Sequence, residues 1–366
     1  MAGILEDSPR FDYSGGASCP SLLLEPSRTN IVPISEGIPE DTIQVTLTEN
    51  YGTSPEGVQN SLKVQKNGVS ASDRIFPIDN YNATLVSGTS YSVSAFVKNI
   101  DVDGITTIGC RLGSGGTLFR LGYQWSGSSL TKATEYSAGT RTNEILEDYG
   151  NRWWRIGFSF EADNTQGGIE LDIDRDNGSA TTSIETYGWQ LEEGSYPTSY
   201  IPNHSGGSVT READSMDSSS FQSSGIVSAT SDYTIFFDIS NDKANTASGG
   251  NSQWLKGRNS SDFNIWTLRK NDVTDQKKHS LYFNEDSSFV FSNQTINKAC
   301  FIFTSSEIKV FLDGSLNTTY SVTNSPLGLD DFIISYGSSN RTNIVLSQFL
   351  IFPTALSDNQ CITLTS

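Results

Sequence analysis

Apolar and polar residues alternate with a period of two along most of this chain, in short runs separated by Gly, Asn, Asp and Ser. "TIQVTL" (42–47), "NSLKVQK" (60–66), "YSVSAFVKNI" (91–100) and "RWWRIGFSF" (152–160) each gather apolar side chains on one face. In "GIELDIDRDNG" (168–178), Ile169, Leu171 and Ile173 point one way and Glu170, Asp172 and Asp174 the other. Beyond about residue 205 a second series follows, including "DYTIFFDIS", "NSQWLKGR", "FNIWTLRK" and "KACFIFTSSEIKVFLDGSL". Trp254 and Trp266 fall on its alternating strands and read as core residues. Asp313-Gly314 marks a hairpin, because Gly accepts the positive φ of a tight turn. Helical rhythm is confined to "ALSDNQCITL", with Ser357 as its cap. The pattern predicts an all-β chain of two antiparallel β-sandwich (jelly-roll) domains in tandem.

Between the two series lies "EEGSYPTSYIPN" (192–203), which has neither rhythm. Pro197 and Pro202 forbid continued sheet pairing there, so the stretch reads as a seam at which Tyr196 and Tyr200 pack. The expected division is a short extended N-terminal segment, 1–32, as a candidate docking arm, then sandwiches over 33–203 and 204–366. A length of 366 residues gives each sandwich room for its own core.

Composition removes several functions. With 42 acidic and 24 basic residues the formal charge is −18, which repels nucleic-acid backbones and anionic membranes, and no basic run interrupts that average. No window approaches ~18 apolar residues, so membrane insertion is not expected. Cys19, Cys110, Cys300 and Cys361 are far apart and read as reduced, mostly buried thiols, with pairing of Cys300 and Cys361 within the second half as the alternative. His204 and His279, the two histidines, lack sequence-adjacent nucleophile partners, and no nucleophile elbow, zinc-protease or phosphate-loop motif is present. A non-catalytic role is expected.

Sugar binding needs an aromatic face beside hydrogen-bonding groups. Trp125, in the polar, Gly-rich "GYQWSGSS", reads as a loop or strand-end residue, exposed and free to stack on a sugar. In "RWWRIGFSF" the face opposite the core carries Trp153 and Arg155 beside Gly157 and Ser159, and Trp189 closes the last strand before the seam. The plainer reading has Trp153 cover a second sheet or loop and Trp189 pack against the second domain. Asp172, Asp174 and Asp176 take the first, third and fifth places of a calcium loop, but the glycine comes one residue late and Ser183 stands where the bidentate glutamate belongs. The alternative is a solvent-facing strand running into an Asp-Asn-Gly turn. The clusters "EILEDYGN" and "LEEGS" read as solvated loops.

"PRFDYSGGASCPSLLLEPSRTNIV", "NRWWRIGFSF" and "WQLEEGSYPTSYIPNHSGGSVTREAD" resemble a module common in bacteriophage structural and tail-fibre proteins, one that looks like a carbohydrate-binding-module jelly roll. The second half is similar to a concanavalin A-like or laminin-G-like sandwich. The resemblance implies a tail-fibre or surface-fibre protein of the virion, made in the host cytoplasm, homotrimeric, in contact with other virion proteins and binding host-cell surface polysaccharide without cleaving it. It also implies a structural Ca2+ in the first half, with no cofactor required. Only about eight residues precede the first motif, so docking would fall to short ends or to another polypeptide. A purely architectural protein and a polysaccharide depolymerase are the alternatives that share this fold.

Overall fold

Alternation becomes, in the first half of the chain, two six-stranded antiparallel sheets. After β1 (Arg10–Asp12), β2 (Ser21–Leu24) and β3 (Arg28–Asn30) come β4 (Asp41–Ile43), β5 (Val45–Thr48), β6 (Leu62–Lys66), β7 (Arg74–Thr84) and β8 (Ser90–Asn99). Then follow β9 (Ile105–Leu112), β10 (Leu118–Ser126), β11 (Ser129–Ala138), β12 (Thr142–Asp148), β13 (Trp153–Glu161), β14 (Gln166–Asp172) and β15 (Ser183–Glu193). One sheet has the order β11-β10-β9-β14-β7-β4 and the other β12-β13-β8-β15-β6-β5. Its inner quartets, β10-β9-β14-β7 and β13-β8-β15-β6, have the strand order of a jelly roll. Ile108, Cys110, Ile169 and Leu171 from one sheet meet Val93, Ile156, Phe158 and Leu191 from the other in a single core.

The structure is a computed structural model and describes residues 10–12, 21–68, 73–113, 116–214, 216–217, 231–239, 251–258, 264–271, 278–283, 287–292, 298–322, 325–329, 331–334 and 344–366.

Two local features depart from simple alternation. The run 42–47, expected as one strand, breaks at Gln44, whose φ is +54°, so that β4 joins β7 and β5 joins β6 across the two sheets. In β15 the register slips between Tyr187 and Gln190, and Gly188 absorbs the extra residue at φ +65°. A Cβ at 188 would lie 2.9 Å from the Phe96 ring. Gly188 is therefore required twice over, by conformation and by close approach. The bulge turns Trp189 inward while leaving Tyr187 on the outer face.

The expected seam at 192–203 is instead a strap bound to the first sandwich. Glu192, fully buried, accepts hydrogen bonds from Thr198 N (2.6 Å), Thr198 Oγ1 (2.7 Å) and Gln190 Nε2 (2.7 Å). Arg155 donates to Thr198 O at 2.5 Å, and Asn203 Nδ2 donates to Val32 O at 2.8 Å. Asn30, also fully buried, donates to Trp189 O and Ile201 O and accepts from Val32 N and Leu191 N. Proline-broken backbone cannot satisfy its polar groups in a sheet, so buried side chains do it. Tyr196 stays under Arg28, 5.3 Å from ring centroid to guanidinium, and Tyr200 packs on Phe96 and Tyr187. "PSRTNIV" and "YPTSYIPN" are thus two halves of one lock. β16 (Val209–Arg211) pairs with β3, and the first unit runs from Arg28 to Arg211 rather than from 33 to 203.

The second unit holds β17 (Met216–Asp217), β18 (Tyr233–Ile239), β19 (Asn251–Arg258), β20 (Asn264–Asn271), β21 (Lys278–Phe283), β22 (Ser287–Ser292), β23 (Lys298–Phe303), β24 (Glu307–Leu312), β25 (Ser315–Ser321), β26 (Asp331–Ile334), β27 (Ile344–Phe352) and α1 (Asp358–Thr365). Its sheets are β1-β2-β27-β18-β23-β24-β25 and β17-β26-β19-β20-β21-β22. The described strands within 1–32 are therefore not a free arm. Leu22, Leu23 and Leu24 pair with Leu346, Val345 and Ile344, because an apolar strand beside an open sheet edge gains a full hydrogen-bond ladder by adding to it. Tyr233, Ile235, Phe237, Phe301 and Val310 face Leu255 and Leu268 in the core. Trp254 and Trp266 lie on β19 and β20, with side chains outside the described set. The Asp313-Gly314 hairpin joins β24 to β25 with both φ angles positive, and Ser357 caps α1 in a capping box with Gln360.

Candidate functional site

The four residues expected to hold a sugar do not form an open platform. Trp125 lies at the end of strand β10 but is only 1% exposed, and donates from Nε1 to Thr106 Oγ1 at 2.9 Å. Trp153 and Arg155 do face away from the core, while Trp154, Ile156, Phe158 and Phe160 turn toward it. That outer face is roofed, however. Trp153 Nε1 donates to Thr53 O, Arg155 reaches Ser94 and Thr198, and Trp153 packs with Phe96, Tyr187 and Tyr200. Trp189 is a core residue, 3% exposed. At the margin of the roof Tyr200 Oη shares hydrogen bonds with Ser35 (2.6 Å) and Glu36 (2.9 Å), and His204 Nε2 lies 3.4 Å from Glu36. Burial and the carboxylates of Glu36 and Glu56 push the Tyr200 and Tyr187 phenols up, so both stay protonated donors rather than nucleophiles.

The acidic loop is organised by the protein's own cations. Asp172, fully buried, is 2.9 Å from Arg74 Nε, pairs with Arg175 and accepts from Thr107 Oγ1 at 3.0 Å. Glu170 pairs with Arg74 at 2.8 Å and with Arg120. Lys66 ends the inward row Leu62, Val64, Lys66 of β6 and is 1% exposed. Its Nζ donates to Asp174 O at 2.6 Å and to Asn177 O at 2.7 Å. Inward-pointing backbone oxygens of this loop, which a cation would be needed to satisfy, are satisfied by a tethered ammonium. Asp174 Oδ2 accepts from Thr182, and Asp176 is exposed. Asp172 and Asp174 are thus engaged by Arg74, Arg175 and Thr182, with Asp174 Oδ1 buried and without a hydrogen-bond partner, and among the described residues no three His, Cys, Asp or Glu side chains converge as metal ligands.

The sign of the electrostatics differs between neighbours. Burial pushes Glu170 up, but Arg120, Arg74 and Arg111 outweigh it and hold the carboxyl below its ordinary value. Its stabilisation is complete above the unfolded-state pKa and is lost as pH falls through the lower, folded value. Asp174 is raised, by burial first, so its contribution has the opposite sign and diminishes as pH rises. Glu170→Gln is expected to cost about 3 kcal/mol at pH 7, as for one partner removed from a buried ion pair. Acid titration of the variant's stability should then be flatter than wild type between about pH 5 and 3, measured by denaturant unfolding.

An open concavity of about 390 Å³ lies at one end of the first sandwich, lined by Asn99, Ile100, Asp101, Val102, Asp103, Gly127, Ser128 and Arg152. Three connections build it: β8 to β9, β10 to β11 and β12 to β13. Asn99, 4% exposed, holds the first two together, with Nδ2 donating to Val102 O (2.8 Å) and Gly127 O (2.6 Å) and Oδ1 accepting from Val102 N. Trp154 Nε1 donates to Ser128 O at 3.0 Å, and Gln124 Nε2 to Asp103 O at 3.0 Å. In the third connection Gly150, Asn151 and Arg152 have φ of +74°, +50° and +69°. Positive φ at an arginine is unfavourable unless surroundings enforce it, and here Arg152 donates to Asn99 O at 3.0 Å. The strained turn brings Arg152 into the same concavity as the exposed Asp101 and Asp103, Asp101 Oδ1 accepting from Ser183 N at 2.5 Å, while Tyr149 on the same turn exposes 42% of its surface and meets Phe96 edge-on. The wall offers charged donors, charged acceptors and a hydroxyl, and its frame is fixed before any ligand arrives. "GYQWSGSS" supplies the hairpin expected to carry the site, but through Gly127 and Ser128 rather than Trp125. "EILEDYGN", read as a solvated loop, leads directly into Arg152.

The chain matches no protein-family model and no curated protein in sequence. Among solved structures it overlaps the CBM40 module of Ruminococcus gnavus IT-sialidase bound to α2,3-sialyllactose, at 11% identity and a TM-score of 0.31 over 41% of this chain and 91% of that one. Mouse laminin α1 chain domains LG4-5 overlap at 8% identity and a TM-score of 0.22, over 88% of this chain and 94% of that one. Trypanosoma rangeli sialidase does so at 8% identity and a TM-score of 0.29, over 88% and 62%. These overlaps are loose, and the description of the chain as tandem antiparallel β-sandwiches rests on its own strand pairing.

Proposed function

We propose that this chain is a virion-surface protein, a fibre or decoration of a bacteriophage, that binds host-cell surface polysaccharide without cleaving it. The observation that carries the binding half of this reading is the preorganised concavity between Asn99 and Arg152, where a guanidinium, two carboxylates and a serine line an open recess of about 390 Å³. Sugars present vicinal hydroxyls that donate to carboxylates and accept from guanidinium, and rigid placement of those groups lowers the ordering cost of binding. The phage half is supported by the resemblance of the 9–32, 151–160 and 189–214 motifs, two of which form the lock around Asn30. Single sugar sites bind weakly, and a homotrimer would raise avidity by ~10²–10⁴ without new contacts.

The test is glycan-array and whole-cell binding by the full chain, multimerised on a scaffold. Arg152→Ala and Asp103→Ala are each expected to weaken binding at least about tenfold, as for a lost charge-assisted hydrogen bond. Lys132→Ala, whose charge pairs with Glu144 on the β11 edge, should bind as wild type. Failure of the multimerised wild type to bind any glycan or host cell would leave the architectural role, and release of new reducing ends would instead establish a depolymerase.

A further inference from the structure

The geometry points to Cys300 and Cys361 as a thiol pair that closes to an intramolecular disulfide and clamps the C-terminal helix to the second sandwich. Cys300 lies at the centre of β23, opposite Phe236 on β18 and Phe311 on β24, and Cys361 lies on α1. Both are fully buried, and their sulfurs are 3.0 Å apart. A disulfide needs a further approach of about 1 Å. The partners come from elements that are independently fixed. β23 is paired on both sides, and α1 is held by its capping box, by Asp358 against Lys309 Nζ at 3.0 Å, and by Thr365 Oγ1 accepting from Gly314 N at 3.1 Å. Phe236, Ile302, Phe311, Ile362 and Leu364 surround the sulfurs, a cluster on the sheet face opposite the unit's main core. Two sulfurs serving merely as apolar filler need not approach so closely, and Cys110, the other described cysteine, stands alone in the first core.

The chemistry is two thiol–disulfide exchanges with a small-molecule disulfide as oxidant. Cys361 thiolate attacks one sulfur of that disulfide, forming a mixed disulfide and expelling one small thiolate. Cys300, deprotonated in turn, attacks the Cys361 sulfur, forming the Cys300–Cys361 bond and expelling the second small thiolate. Two protein protons are released, and the two electrons end on the two expelled thiols. The hydrogen bond from Cys300 lowers the Cys361 thiol and correspondingly raises Cys300, which names Cys361 as the first nucleophile. Burial requires that α1 lift for the first exchange, which a short terminal helix does more readily than a central strand.

The full chain is incubated with oxidised glutathione, denatured under alkylating conditions and peptide-mapped without reduction. The expected result is two alkylated thiols, Cys19 and Cys110, one linked peptide joining Cys300 to Cys361, and four alkylated thiols after dithiothreitol. Amide exchange in α1 should slow at least about tenfold in the oxidised protein, and Cys300→Ser should abolish that change. Four alkylated thiols after oxidation, or a link through Cys19 or Cys110 instead, would overturn the proposal.

Discussion

Replacing Lys66 with methionine is expected to destabilise the first sandwich by about 3–5 kcal/mol, from two buried carbonyls each left without a donor at about 1–3 kcal/mol. Methionine keeps the length and the apolar stem, so the loss isolates the ammonium. Without it the carbonyls of Asp174 and Asn177 lose their donor, and the Asp174 carboxyl, already raised by burial, loses its nearest cation. Native-state amide exchange on β8 and β15 reports the effect in the unit concerned without requiring the two units to unfold together. Wild type should show the same protection in calcium and in chelator, because Lys66 already supplies the positive charge. A variant within about 1 kcal/mol of wild type would mean that the loop is held by something else.

The second large effect is expected at Asn30. Its side chain makes four hydrogen bonds to backbone of the strap, of its own segment and of β15: to Trp189 O at 3.0 Å and Ile201 O at 2.8 Å, and from Val32 N at 3.1 Å and Leu191 N at 3.2 Å. Asn30→Leu keeps the branching of the side chain and strands two donors and two acceptors in a fully buried place. At about 1–3 kcal/mol for each buried group left unsatisfied, relieved in part by relaxation, a total of about 4 kcal/mol is expected. The loss should appear first as faster proteolysis and exchange across 192–203, with β8 following. Asn30→Asp separates donor from acceptor. It preserves acceptance from Val32 and Leu191 but sets a carboxylate against two carbonyl oxygens, so it should be destabilised at pH 7 and recover as pH falls and the acid protonates.

Alternation of side chains was enough to read the sandwiches, the two faces of 152–160 and the inward row Ile169, Leu171 and Ile173, because a period of two is a local property of each strand. The strap is not legible in the same way, for the complementary reason. Prolines announce that 192–203 leaves the sheet, but only the fold shows that Asn30, 162 residues before Glu192, supplies its missing partners. Lys66 did leave a mark, a lysine at the third inward position of "SLKVQ" and the residue after it, where alternation alone demands an apolar side chain. The acidic faces were legible as charge and mostly not as pairing, since Arg175 is a sequence neighbour of Asp172 but the arginines around Glu170 come from β7, β9 and β10. Size and polar surroundings in the sequence point to the tryptophans as sugar platforms, yet large aromatics gain most from burial, and Trp125, Trp153, Trp189 and the neighbouring Arg155 are at most 5% exposed. The concavity is made by connections between strands, and no sequence period places three connections together.

The most direct test of the glycan-binding account is hydrogen-exchange footprinting of the full chain with and without polysaccharide purified from a host surface that it binds. Protection is expected in 99–103, in the 126–129 hairpin and around Arg152, with the Trp153 and Arg155 face unchanged. Binding that leaves all three connections unprotected, or that protects only the second sandwich, would contradict it.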